Sequence, residues 1–207
     1  MTRVEPLHPV EVRVLGALIE KDITTPEYYP LTLNALVNAC NQKSNREPIV
    51  NYDEDAVLQA LALLRNKGLA LKISGAGHRV EKYAHRLGEC LNLGRRETAV
   101  LCVLLLRGPQ TVGELRGRTE RMHDFTDLEE VERCLEGLAL REPDPLVARA
   151  SRGRWVQLLG GVPDVTAETS APPRQEYGPD LEERVAALER EMEQLKQQLE
   201  GFRRQFE

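Results

Sequence analysis

Apolar residues recur along this chain mostly three and four apart, the spacing of one helix face, and alternate only in short stretches after glycines. Val10, Val14, Leu15, Leu18 and Ile19 predict a first helix from Pro9 to Asp22, with Pro9 in the first turn, where its missing N–H costs nothing. Leu31, Leu33, Leu36 and Val37 predict a second helix from Leu31 to about Cys40, with Thr32 as its cap. A third runs from Asp53 to about Lys67, its acidic start suiting the positive end of a helix dipole and Val57, Leu58, Leu61 and Leu64 forming its inward face. Gly68 stops it. Leu69, Leu71 and Ile73 then alternate as in a strand, Gly75-Ala76-Gly77 turns, and Arg79 to His85 returns. Three helices followed by a hairpin is the order of a winged helix, a helix-turn-helix variant whose hairpin is the wing.

The pattern then repeats. Glu97, Val100, Leu101 and Leu104 match Glu11, Val14, Leu15 and Leu18 at an offset of 86 residues; Thr111 and Leu115 match Thr32 and Leu36 at 79; Val131, Leu135 and Leu138 match Val57, Leu61 and Leu64 at 74. A second hairpin follows, out along Leu146 to Ala150, turning near Arg152-Gly153 and back along Trp155 to Leu159. The falling offset places extra residues in the first copy at Thr24 to Pro30 and at roughly Asn41 to Val50. Loops present in one copy only are where function is usually added to a shared scaffold.

After Gly160 the chain changes character. Gly, Pro, Thr, Ser and Ala dominate residues 161–179, a composition that reads as a flexible linker. Then Leu181, Val185, Leu188, Met192, Leu195, Leu199, Phe202 and Phe206 alternate four and three apart, the seam of a short coiled coil that would bring two copies of the chain together. The expected organisation is a mainly α fold with small β-hairpin wings (α+β). It comprises winged-helix modules at 1–90 and 91–160, a linker at 161–179 and a coiled-coil helix at 180–207.

Composition narrows the function classes. With 41% hydrophobic and 29% charged residues in a chain of 207, the balance is that of a soluble globular protein. The longest apolar run, Ala99 to Leu106, is too short to cross a bilayer, and Met1 to Pro9 lacks a signal-peptide core, so a cytoplasmic protein without membrane contact is expected. Cys40, Cys90, Cys102 and Cys134 form no CxxC pair and lie in apolar helical patterns, reading as small buried residues rather than metal ligands. No cofactor is implied. The net charge of −5 comes wholly from residues 161–207, with 11 acids and 6 bases; 33 less 11 and 28 less 6 leave 22 of each sign before it. A neutral body exerts no long-range pull on a polyanion, so nucleic-acid binding would need a local patch.

The densest run of polar groups is the loop after the second helix, where Asn41, Gln42, Lys43, Ser44, Asn45 and Arg46 offer amides, cations and a hydroxyl. Such groups suit phosphates, base edges or a partner's backbone, although Asn, Ser and Pro are also ordinary turn formers. The hairpins add His78, Arg79 and Lys82 in the first copy and Arg152 and Arg154 in the second. From Glu11 through TTPEYYPLTLNALVNACNQKSNREP, SGAGHRVEKY, LLLRGPQTVGELRGR and RMHDFTDLEEVE to the heptad tail, the chain resembles the YceH-like family of bacterial proteins of unknown function. That resemblance implies a duplicated winged-helix fold and no known catalytic residues.

Two functions compete. Winged helices most often bind double-stranded DNA, and the basic hairpin tips and loop 41–46 suit a transcriptional regulator. The third helices do not, because acids outnumber bases on both and would repel phosphates. The preferred reading is therefore a non-enzymatic protein-interaction or scaffold module with a protein partner, homodimeric through its tail. No P-loop, nucleophile elbow or HExxH sequence is present, and Gly75-Ala76-Gly77 lies in a hairpin rather than at a strand-to-helix turn.

Overall fold

Helix starts follow the side chains available to cap them. In the computed structural model, Thr32, Asp53, Thr111 and Asp127 each accept a hydrogen bond from the backbone N–H three residues on, and a helix starts directly after each. The structure describes residues 5–73 and 80–161; His78, Arg79 and the expected linker and heptad helix from 162 onward lie outside the described residues.

The elements run α1 (Pro9–Thr24), β1 (Leu31–Thr32), α2 (Leu33–Cys40), α3 (Glu54–Asn66), β2 (Ala70–Ile73) and β3 (Lys82–His85), then a one-turn α4 (Leu87–Leu91). The second half repeats the order as α5 (Arg95–Arg107), β4 (Gln110–Thr111), α6 (Val112–Thr119), α7 (Leu128–Ala139), β5 (Val147–Arg149) and β6 (Arg154–Gln157). Mixed α and β structure with two small antiparallel sheets results. Their strand orders are β1-β3-β2 and β4-β6-β5, with Leu31 opposite Tyr83 in one and Gln110 opposite Trp155 in the other.

Three local expectations are corrected. Leu31 and Thr32 form a strand on the returning hairpin arm instead of opening α2, because Thr32 must be extended to cap the helix behind it. Leu58 is 39% exposed rather than inward, since it stands a quarter-turn from the buried stripe of Val57, Ala60, Leu61 and Leu64. Cys90 is exposed at the end of α4, its thiol 2.9 Å from Gly68 O, while Cys40, Cys102 and Cys134 are buried.

The core is shared by both copies. Helix α1 is buried from Arg13 to Ile19 and α5 from Thr98 to Leu106, runs too long to leave either helix a solvent face. The two cross closely at Gly16, where a Cβ would lie 2.9 Å from Leu106 Cγ and 3.2 Å from Leu105 Cβ. Cys102, the counterpart of Gly16 at the 86-residue offset, points its thiol at Gly16 O, 3.5 Å away.

Candidate interaction surface

The loop after α2 is held from both ends. Asn41 donates from Nδ2 to Tyr52 O and accepts on Oδ1 from Tyr52 N, both at 2.8 Å, closing the ten-residue excursion between them. Inside that closure Arg46 turns inward and is only 6% exposed. Its guanidinium makes a two-pronged contact with the Glu20 carboxylate at 3.0 and 2.6 Å and donates to Ala39 O and Gln42 Oε1. Burial alone would raise the Glu20 pKa, but the hydrogen bonds and charge of Arg46 outweigh it and hold the carboxyl below its usual range.

The same loop reaches the second copy. Glu47 N donates to Leu106 O at 2.8 Å, covering a carbonyl at the end of α5, and Arg107 donates to Asn45 Oδ1. Buried Arg13 completes the clamp by donating to Cys40 O at 3.1 Å and Pro48 O at 2.6 Å. The loop proposed on sequence grounds as a binding surface thus spends Asn41, Gln42, Asn45 and Arg46 on its own protein. Lys43 and Ser44 still face outward, as does Ile49 beyond the cation. No sequence signal linked Arg46 to Glu20, which precedes it by 26 residues.

The hairpin cations divide similarly. Lys82 is half-buried in β3 opposite Thr32, and Arg152 is exposed at the second turn with φ 58°. Arg154 is committed to Glu114 at 2.8 Å and Pro109 O at 2.9 Å. Arg149, not singled out from sequence, lies 4.8 Å over the Trp155 ring and 3.6 Å from Glu136. Of these hairpin cations, Arg154 and Arg149 are thus already paired within the protein.

The outward faces of α3 and α7 differ in kind. Helix α3 presents Asp55, Gln59, Ala62 and Asn66 between two exposed leucines, Leu58 at 39% and Leu63 at 41%. Val80 at the base of the hairpin is 57% exposed. Helix α7 presents Glu129, Glu132 and Glu136 with Arg133, bounded by exposed Leu128 and Leu140. Both faces combine isolated large apolar side chains with acids.

Several groups suited to chemistry are tied down. His85 Nε2 lies 3.2 Å from Asp22, but its Nδ1 accepts from Leu87 N at 3.2 Å, leaving no ring nitrogen to take a substrate proton. Tyr29, in the other first-copy insertion, accepts from His85 N at 2.7 Å, and burial pushes its hydroxyl pKa up. Burial likewise raises the Cys40 and Cys134 thiols to about 12, far from the thiolate a nucleophile needs. His123 stands edge-on to Phe125 at 4.6 Å with Nε2 unpaired and 3.9 Å from Glu130.

These features describe a small α and β protein of two repeated units around one core, with polar loops that bind it to itself. The chain belongs to the family described as "Protein of unknown function, DUF480", whose model matches residues 7–154, and the YceH-like resemblance fits that family. A UPF0502 protein of Solibacter usitatus is 57% identical over 204 residues, covering 97% of this chain and 98% of its own. A UPF0502 protein of Opitutus terrae is 55% identical over 190 residues, covering 88% and 83%. Another, from Geotalea daltonii, is 59% identical over 173 residues, covering 81% and 78%. No described helix is long and apolar enough to cross a membrane.

Proposed function

We propose that this protein is a non-enzymatic interaction module, built from two winged-helix units that present their third helices to a protein partner. The winged-helix reading is supported by the repeated order of helix, short strand, two helices and hairpin, with the short strand paired to the returning arm in each copy. The observation that carries the function is the outward face of α3, where Leu58 and Leu63 flank a neutral-to-acidic strip. Exposed leucines gain by desolvation against another protein, whereas acids there raise the energy of a nearby phosphate backbone. Committing Arg46 to Glu20 and Arg154 to Glu114 further weakens the case for DNA, since neutralised cations release few counterions.

The test is capture by tagged full-length protein from lysate, with and without nuclease, beside a Leu58→Lys/Leu63→Lys variant. The proposal expects a nuclease-resistant partner that the variant loses. A nuclease-sensitive capture, or duplex binding that weakens roughly tenfold or more between 50 and 200 mM salt, would replace it with a regulator. The heptad residues Leu181 to Phe206 are proposed to pair two chains in parallel. Light scattering should find a dimer for the full chain and a monomer for a chain ending at Gly161; a full-length monomer at tens of micromolar refutes the pairing.

A further inference from the structure

The two copies can be compared position by position, 86 residues apart in α1 and α5 and 74 apart in α3 and α7, and at one junction they differ consistently. In the first copy the start of α1 is locked to the end of α3. Lys67 Nζ donates to both oxygens of buried Glu11, at 2.8 and 2.9 Å, and to Pro6 O at 3.1 Å. The counterparts in the second copy are Glu97 and Arg141, and no such lock forms. Arg141 donates to Leu91 O, and Glu97 lies 3.6 Å from Arg96.

Between α5 and α7 the second copy instead has a cleft of about 370 Å³, lined by Gly94, Arg96, Glu97, Arg133, Gly137 and Arg141 among others. That volume falls in the range of small-molecule sites, roughly 300 to 1,000 Å³. Several of the residues that line it are departures from the first copy. Glycines stand at 94 and 137 where the first copy has His8 and Leu63, and a Cβ built at Gly137 meets nothing within 4 Å. Arginines stand at 96 and 133 where it has Val10 and Gln59, and Arg141 replaces Lys67. Three guanidiniums against one carboxylate therefore line this cleft.

We propose that this cleft binds a small polyanion, a molecule carrying phosphate or several carboxylates, held by Arg96, Arg133 and Arg141. Guanidinium suits the task, since its planar fork donates two parallel hydrogen bonds to an oxyanion. The present partners of Arg96 and Arg133 are carboxylates at 3.6 Å, half-buried Glu97 and exposed Glu129. Such loose surface pairs exchange readily for a ligand. The site goes beyond the proposed partner surface, since it takes a small ligand between α7 and α5 and shares with the outward face of α7 only Arg133.

Pyrophosphate and citrate are the probes, titrated into the full-length protein by calorimetry and thermal melting at constant ionic strength. At least one should bind saturably and raise the melting temperature. Pyrophosphate alone assigns the phosphate class, citrate alone the polycarboxylate class. Arg133→Gln, a surface change, should weaken binding tenfold or more. Gly137→Leu restores the first copy's residue and should abolish binding while making the free protein more stable, because glycine is a poor interior helix residue. The proposal is overturned if neither probe raises the melting temperature beyond sodium chloride of equal ionic strength. It is also overturned if both variants bind like the parent.

Discussion

At the residue scale, Arg46 and Glu20 form the contact whose loss should cost most. Removing one partner of a buried pair strands the other, and such losses run to about 3–5 kcal/mol. Arg46→Met should therefore lower stability by about that much in urea denaturation, because the Glu20 charge is left stranded, and a change below about 1 kcal/mol would contradict the clamp. The pH dependence has a definite sign. Glu20 has its pKa depressed in the fold, so its contribution is complete above the unfolded value of roughly 4.3 and is lost as pH falls through the lower folded value. The stability gap between parent and Glu20→Gln should thus be full at pH 7 and shrink below about pH 4. A gap independent of pH between 7 and 3 would show that the pair is not carrying the loop. The sequence displayed Arg46 as a charge in a polar loop and gave no sign of its counter-charge on a different helix. That is why a structural anchor there reads as a binding group.

At the element scale, the crossing of α1 and α5 depends on the missing side chain at Gly16. A valine there must displace Leu105 and Leu106, and overpacking of this kind costs about 1–3 kcal/mol. Gly117, inside α6, has open space around its Cβ position, and Gly117→Ala should instead stabilise by about 0.5–1 kcal/mol through helix propensity alone. Chemical denaturation of the two variants should shift in opposite directions; equal shifts would mean that Gly16 is not at a tight crossing. Most elements were legible because their causes are local. Asp53 and Thr32 cap the helices they precede, and the spacing of Val57, Leu61 and Leu64 fixes the buried stripe of α3. Strand β1 escaped because two residues, Leu31 and Thr32, leave no alternation to detect, and their strand character comes from Tyr83 and Lys82, fifty residues on. The tight crossing escaped for a related reason, since a lone glycine in a helix says nothing of the neighbour it admits.

At the scale of the whole molecule, the repeat offsets revealed two copies but not that each depends on the other. Helices α1 and α5 are apolar over nearly their full circumference because each is covered by its own copy on one side and by the other helix on the remaining side. Further links tie the copies together: Leu7 N donates to Leu159 O at 2.7 Å, and Glu47 N to Leu106 O. A chain of residues 1–90 would leave bare the side of α1 that α5 covers, an uncovered apolar face of the kind that drives association. Because Gly16 and Cys102 are equivalent positions and touch, a second copy of α1 offers a near-substitute for α5. The fragment should therefore associate rather than remain a folded monomer, while residues 1–161 unfold in one cooperative transition with the same midpoint by fluorescence of Trp155 and by far-ultraviolet circular dichroism. Two separated transitions in residues 1–161, or a monomeric fragment as stable as the pair, would show that the copies are independent domains joined by chance contact.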